Sequence, residues 1–239
     1  MKNLLMFLVL STMSLNIQAT LLSDLINGQS ITAGDKLFDQ WAVLFEDSSD
    51  FTSVNTDNIV VTALNDGGLN PGPGLRFDIL NDELLVEGDG IFAYLDFMFG
   101  FRVTVLDPGL LVKDNSLYLT DAELVNPTSS VSVFIEEKIF TDASASLNID
   151  DYIGIKDVEL SNVFGTETDK AFDSAAFNPR NSIYVTKNIL MEAWDVGESA
   201  NLLSFEQRFS QVESVPEPAS LWMLAVGLVM IGVRRKRLF

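Results

Sequence analysis

Carboxylates are the most abundant reactive side chains in this chain: 34 Asp and Glu stand against 15 Lys and Arg, with no His and no Cys. Paired acids can cleave glycosidic bonds without imidazole or thiol. Asp82 with Glu83, Glu136 with Glu137, and Asp150 with Asp151 are the pairs the sequence offers. Neighbouring residues of a strand face opposite sides, so none of these is a catalytic pair by itself. The missing His and Cys also remove zinc sites built on imidazole or thiolate, and Ser-His-Asp or Cys-His nucleophiles, because no imidazole is there to take the proton. The expectation is a protein that is not an enzyme and has no catalytic residues.

No cofactor is expected, with calcium as the possibility that the acid-rich segments leave open. Asp47, Asp50, Asp57 and Asp66 lie in segments rich in hard oxygen ligands: 46–50, 57–58 and 65–68. None has the ligand, glycine and terminal Glu spacing of an EF-hand loop, and solvated loop acids are the simpler reading. Trp41 and Trp194 could stack on sugar rings if exposed. In residues 39–45, however, strand alternation puts Trp41 on one face with Val43 and Phe45, which favours a place in the core.

The elements that must carry these residues read as β-strands. Strand patterns cover residues 38–45, 58–64, 75–80, 91–106, 116–125, 131–140, 146–155, 182–191 and 201–209. Phe101, Val103 and Val105 share one face while Arg102 and Thr104 take the other; Val131, Val133 and Ile135 alternate in the same way. Turn residues such as Asn65-Asp66-Gly67-Gly68, Glu87-Gly88-Asp89-Gly90 and Asp107-Pro108-Gly109 separate the runs. A short helix fits residues 169–176, where Ala and charged residues gather. The fold expected is all-β, an antiparallel β-sandwich or jelly-roll-like ectodomain spanning residues 20–210.

Both ends differ from this body. Residues 1–19 have one positive charge at Lys2, an apolar run from Leu4 to Leu10 and a small residue at Ala19, the layout of a signal peptide. Residues 20–215 hold ten of the Lys and Arg and thirty-three of the Asp and Glu, a net charge of −23. Such a surface repels nucleic acid and anionic lipid headgroups.

Residues 211–239 form the other end. Pro216 and Pro218 keep Val215-Pro216-Glu217-Pro218 extended. Residues 219–233 are uncharged; as a helix they would cover roughly 22 Å, short of the roughly 30 Å hydrocarbon layer. Extension of the helix toward Val215 or snorkelling of the flanking arginines would make up the difference. The basic cluster Arg234, Arg235, Lys236 and Arg237 belongs on the cytoplasmic side, so the body lies outside the inner membrane.

The order Pro-Glu-Pro, short apolar span and arginine-rich end over residues 215–237 resembles the PEP-CTERM sorting domain of Gram-negative bacteria. That resemblance implies an exosortase as processing partner, a transient stay in the inner membrane, and delivery to the cell surface or extracellular matrix. It also implies a setting of exopolysaccharide and biofilm, in which a structural or adhesive role is expected; a carbohydrate- or calcium-binding module is the alternative. Residues 28–38, 70–77 and 101–108 are similar to an ectodomain often found ahead of such tails, with Phe101 where that ectodomain often has Tyr. This second resemblance implies an all-β exported domain and no activity. In a host with an exosortase, the mature protein is expected to lack Arg234 to Phe239. Mass spectrometry of its C-terminus checks this, and an intact tail in the inner membrane would contradict it.

Overall fold

The computed structural model describes residues 19–148 and 150–214. Among them are fourteen strands, numbered in chain order, in two antiparallel sheets. The first sheet runs β1 (Ala19–Leu21), β4 (Ile59–Leu64), β5 (Gly74–Ile79), β14 (Ser199–Glu213), β8 (Leu110–Val125) and β12 (Phe172–Arg180), with β6 (Leu85–Glu87) also on β14. The second runs β11 (Thr166–Lys170), β10 (Gly154–Val163), β9 (Ser130–Phe140), β13 (Ser182–Ala193), β7 (Ala93–Val105), β3 (Lys36–Ser48) and β2 (Ile31–Ala33). One short helix, α1 (Leu22–Ile26), buries Leu22 and Leu25. The arrangement is the expected β-sandwich.

Strand alternation explains why the sheets pack. Phe101, Val103, Val131, Val133 and Ile135 are all fully buried, and Val105 nearly so. Arg102 instead faces outward and pairs with Asp39, Nη2 to Oδ2 at 2.6 Å. Rings from both sheets mesh between them: Phe77 of the first stacks on Phe205 at 4.5 Å and meets Phe99 of the second at 5.7 Å. Phe38 of the second meets Phe209 of the first at 5.5 Å. With no disulfide to help, this buried apolar surface carries the stability.

Three expectations are corrected. Residues 169–176 are not a helix: they end β11 and begin β12, which pairs with β8 from Phe172 opposite Tyr118 to Ala176 opposite Asp114. The hydrogen bonds of a sheet edge outweigh the local helix preference of Ala. Residues 146–155 are not one strand either. A 3₁₀ turn occupies Ala145–Leu147, and β10 starts only at Gly154. The Asp142 carboxylate accepts from the Ser144 and Ala145 N–H groups and holds that turn.

The third correction concerns Trp41. It is in the core, stacked on Phe101 at 4.3 Å, but Val43 and Phe45 are exposed. The register of β3 against β7 slips between Asp39 and Ala42 and again between Val43 and Phe45, and Gln40 sits at φ 55°. A bulge breaks the period-two alternation, so Trp41 loses its partners on paper and keeps its burial. Phe77 lies where Trp41, Phe99 and Phe205 converge. Phe77→Ala is expected to cost about 3–5 kcal/mol of stability in denaturant unfolding.

Candidate functional site

A cleft of about 350 Å³ opens at one end of the sandwich. The segments after β3, between β5 and β6, and between β6 and β7 form it. Its lining includes Asp50, Asp82, Glu83, Glu87 and Asp89, the hydroxyls of Ser48, Ser49 and Thr52, and Tyr94; no Lys or Arg lines it. Four of these acids brace the loops that carry them. Asp50 accepts from Ser48 Oγ at 3.0 Å and Thr52 Oγ1 at 2.8 Å, and the Thr52 and Ser48 hydrogen bonds hold its carboxyl below the usual range. Glu83 accepts from Asn55 N–H at 2.5 Å and Asn58 Nδ2 at 2.6 Å. Asp82 accepts from Asn201, and Asp89 from the N–H groups of Ile91 and Phe92.

Beside Tyr94 stands a cluster of aromatic rings. Phe92 stacks on Tyr94 at 5.4 Å and meets Trp194 edge-on at 5.3 Å; Phe164 also meets Trp194 edge-on, at 6.2 Å. Phe164 is 70% exposed and Trp194 37%, and Ile91 and Val196 next to them are exposed as well. Phe164 and Gly165 form the two-residue turn of the β10–β11 hairpin, at φ 49° and 83°. Both central residues of such a turn need positive φ, which suits Gly and is rare for Phe. A bulky ring held there in the open is backbone strain at a surface position, where strain tends to serve function.

Glu198 fixes this end of the molecule. It is buried in the β13–β14 connection, and its carboxylate accepts from Thr128 N–H and Ser129 N–H, both at 2.6 Å, from Asp195 N–H at 2.9 Å, and from the Thr128 and Ser129 hydroxyls. Gly88 N–H and Gly90 N–H donate to the Glu198 and Trp194 carbonyls, tying the β6–β7 turn to the same loop. Sequence reading missed Glu198, Phe92 and Phe164, since no local pattern announces contacts across seventy residues.

The acids named as calcium candidates are not brought to one point. Asp66 pairs with Arg208 at 3.0 Å, Asp57 lies in a 3₁₀ turn, and Asp47 accepts from Tyr94 Oη at 2.9 Å. Only Asp50 lines the cleft. Among the described residues no group of three or more carboxylates could hold a metal ion. Asp47 does face Asp96 across β3 and β7, and burial, with the Asp47 charge, pushes the Asp96 carboxyl up. Of the acid pairs, Glu136 faces out to Lys138 and Glu137 faces in, as strand alternation requires. Val215, Pro216, Glu217 and Pro218 and the basic cluster Arg234 to Arg237 lie outside the described residues, as does the segment expected to be a signal peptide, 1–19, apart from Ala19.

A second polar site lies between the sheets. Glu137 of β9 stands in register between Lys156 of β10 and Lys187 of β13, and all three are buried. Its Oε1 accepts from Lys156 Nζ at 2.5 Å, from Gln207 Nε2 at 2.7 Å and from Asn115 Nδ2; its Oε2 accepts from Lys187 Nζ. Lys156 Nζ also donates to Asn115 Oδ1. Asn115 and Gln207 belong to the opposite sheet, so the group joins both layers. Burial would raise the Glu137 carboxyl, but the two ammonium groups outweigh it and hold it low. Burial lowers Lys187 as well, and brings Lys156 down to about 8 against the pull of Glu137. The signal for this group was in the alternation: Val131, Val133, Ile135 and Ile139 point inward, and residue 137 has their parity.

Fold and site together define an all-β sandwich domain with a loop-end cleft. Residues 214–237 match the family model of the PEP-CTERM protein-sorting motif, so the chain carries that sorting motif, which implies an exported protein sorted through an exosortase. A search of curated proteins found no match. Among solved structures, the chain is similar to TmCBM61 in complex with beta-1,4-galactotriose, at 13% identity and TM-score 0.28, over 73% of this chain and 89% of that one. It is also similar to the CBM22-1 xylan-binding domain of Paenibacillus barcinonensis Xyn10C, at 11% identity and TM-score 0.23, over 84% and 97%. A third is the Gap123 glycosylation-associated complex from Streptococcus agalactiae, at 11% and 0.26, over 63% and 24%. At these scores the likenesses carry no argument about ligand or role.

Glu198 titrates in the folded state at about 2: burial pushes it up, and the Ser129, Asp195 and Thr128 donors outweigh that. A lowered folded value contributes stability above the unfolded value of 4.5, and that stability is lost as pH falls toward 2. Glu198→Gln is expected to cost on the order of 2 kcal/mol at pH 7 and to flatten the acid limb of stability against pH. Thermal unfolding from pH 7 to pH 2 reads both effects.

Proposed function

We propose that this protein is a non-catalytic, adhesive component of the extracellular matrix that holds neutral polysaccharide at the aromatic-rimmed cleft. The observation that carries the reading is the ring cluster of exposed Phe164 and Trp194 with half-buried Phe92 and Tyr94, beside a cleft lined with carboxylates and hydroxyls. Ring faces stack on the C–H faces of sugars, and carboxylates accept from sugar hydroxyls. The net charge of the body disfavours an anionic chain, which selects for a neutral one.

The sorting motif supports the location, since it directs the body away from the cytoplasm. A role without catalysis is supported by the absence of His and Cys from the whole chain and by the bracing tasks of Asp50, Asp82, Glu83 and Asp89.

Affinity electrophoresis in gels containing the producing organism's matrix polysaccharide tests the reading. The wild-type ectodomain is expected to be retarded, and Trp194→Ala to bind about tenfold more weakly, the loss of one stacked ring. Equal mobility with and without the polysaccharide would overturn the proposal.

A further inference from the structure

The buried group between the sheets contains an amine, a carboxamide and a carboxylate in mutual contact. Lys156 Nζ touches Asn115 Oδ1, so the amide carbon Cγ is the next atom along. Glu137 Oε1 touches both the lysine nitrogen and the amide nitrogen of Asn115. These are the three groups that an amine–carboxamide condensation needs, already collected where water has no access: Lys156 is 2% exposed, and Asn115 and Glu137 are fully buried.

We infer that Lys156 and Asn115 condense into an intramolecular amide that covalently joins the two sheets, with Glu137 as the catalytic carboxylate. The Nζ–Cγ bond forms and the Cγ–Nδ2 bond breaks. Glu137 takes a proton from the attacking nitrogen and gives one to the departing amide nitrogen, which leaves as ammonia. Atoms and electrons balance with no oxidant, reductant or other co-reactant, and Glu137 ends as it began. Holding both partners in contact replaces an encounter in solution and supplies much of what the reaction needs.

Two features of the site favour the reaction. Burial lowers the Lys156 amine to about 8, so a usable fraction is neutral and nucleophilic near neutral pH. Charge balance also improves. Before condensation, two lysines face one glutamate in a dry core, and an unpaired buried charge is costly. Afterwards Glu137 and Lys187 remain as a matched pair, with the Lys187 ammonium also over the Phe205 ring at 5.4 Å. Lys187 contacts Glu137 Oε2, on the far side of the carboxylate from the Lys156 contact, and so fixes the orientation of the acid. The linked residues are 41 apart in sequence and come from β8 and β10, so the bond would staple one layer to the other in a chain without cysteine.

Peptide mass spectrometry of the exported protein tests this, because tail processing does not touch the relevant fragments. With the amide formed, trypsin cannot cut after Lys156. Residues 139–170 are then expected as one branched species with residues 114–138, lighter than the sum of its parts by about 17 Da, the mass of ammonia. Glu137→Gln and Lys156→Met are each expected to abolish the branched species, with near-UV circular dichroism reporting that the variants fold. Separate peptides 114–138 and 139–156 at their sequence masses from folded wild-type protein would overturn the inference. So would a branched species that survives in folded Glu137→Gln at wild-type yield.

Discussion

The contact on which the rest of the sandwich depends is Glu137 between Lys156 and Lys187, facing Asn115 and Gln207 across the core. Ionised groups belong in an apolar interior only when each has a partner. The row therefore sets the register of β10, β9 and β13 together: Glu137 stands opposite Lys156 on one side and Lys187 on the other. A one-residue slip of any of the three strands would turn its charge to solvent and leave the others stranded. Aromatic packing around Phe77 and Trp41 supplies the apolar burial, which is less directional than the ionic row.

The row also fixes how the two layers face each other. Asn115 and Gln207 come from β8 and β14, neighbours in the first sheet, and both donate to the same Glu137 oxygen. Their pairing defines which part of the first sheet lies over the centre of the second. An amide between Lys156 and Asn115 would make that alignment permanent, a useful property for an exported protein without disulfides.

At the end of the sandwich the physics is different. There the charged groups serve loops rather than strands: Glu198 gathers the N–H groups of Thr128, Ser129 and Asp195, and Glu83 those around Asn55 and Asn58. These anchors hold turns that present rings outward, including Phe164 at a positive φ that its own side chain disfavours. A rigid body and a strained, exposed rim divide the molecule into a part that persists and a part that makes contacts.

Much of this was legible in the sequence. Alternation located most of the core strands and the inward face of β7 and β9, because a period of two needs no knowledge of what lies opposite. The same arithmetic makes Glu137 an inward residue, and the lack of His and Cys excluded whole classes of chemistry. Proline spacing, an uncharged span and terminal arginines marked the sorting tail, since each acts locally. Other features depended on partners distant in the chain. The bulge at Gln40 changed the neighbours of Trp41, edge pairing with β8 made a strand of residues 172–180, and loop closure set Phe164 against Trp194. Sequence alone determined the strand periods, the acidity and the address, because those are properties of short segments. Only the tertiary structure decided which charges share the core and which rings share the surface, because those contacts are made between strands that sequence order keeps apart.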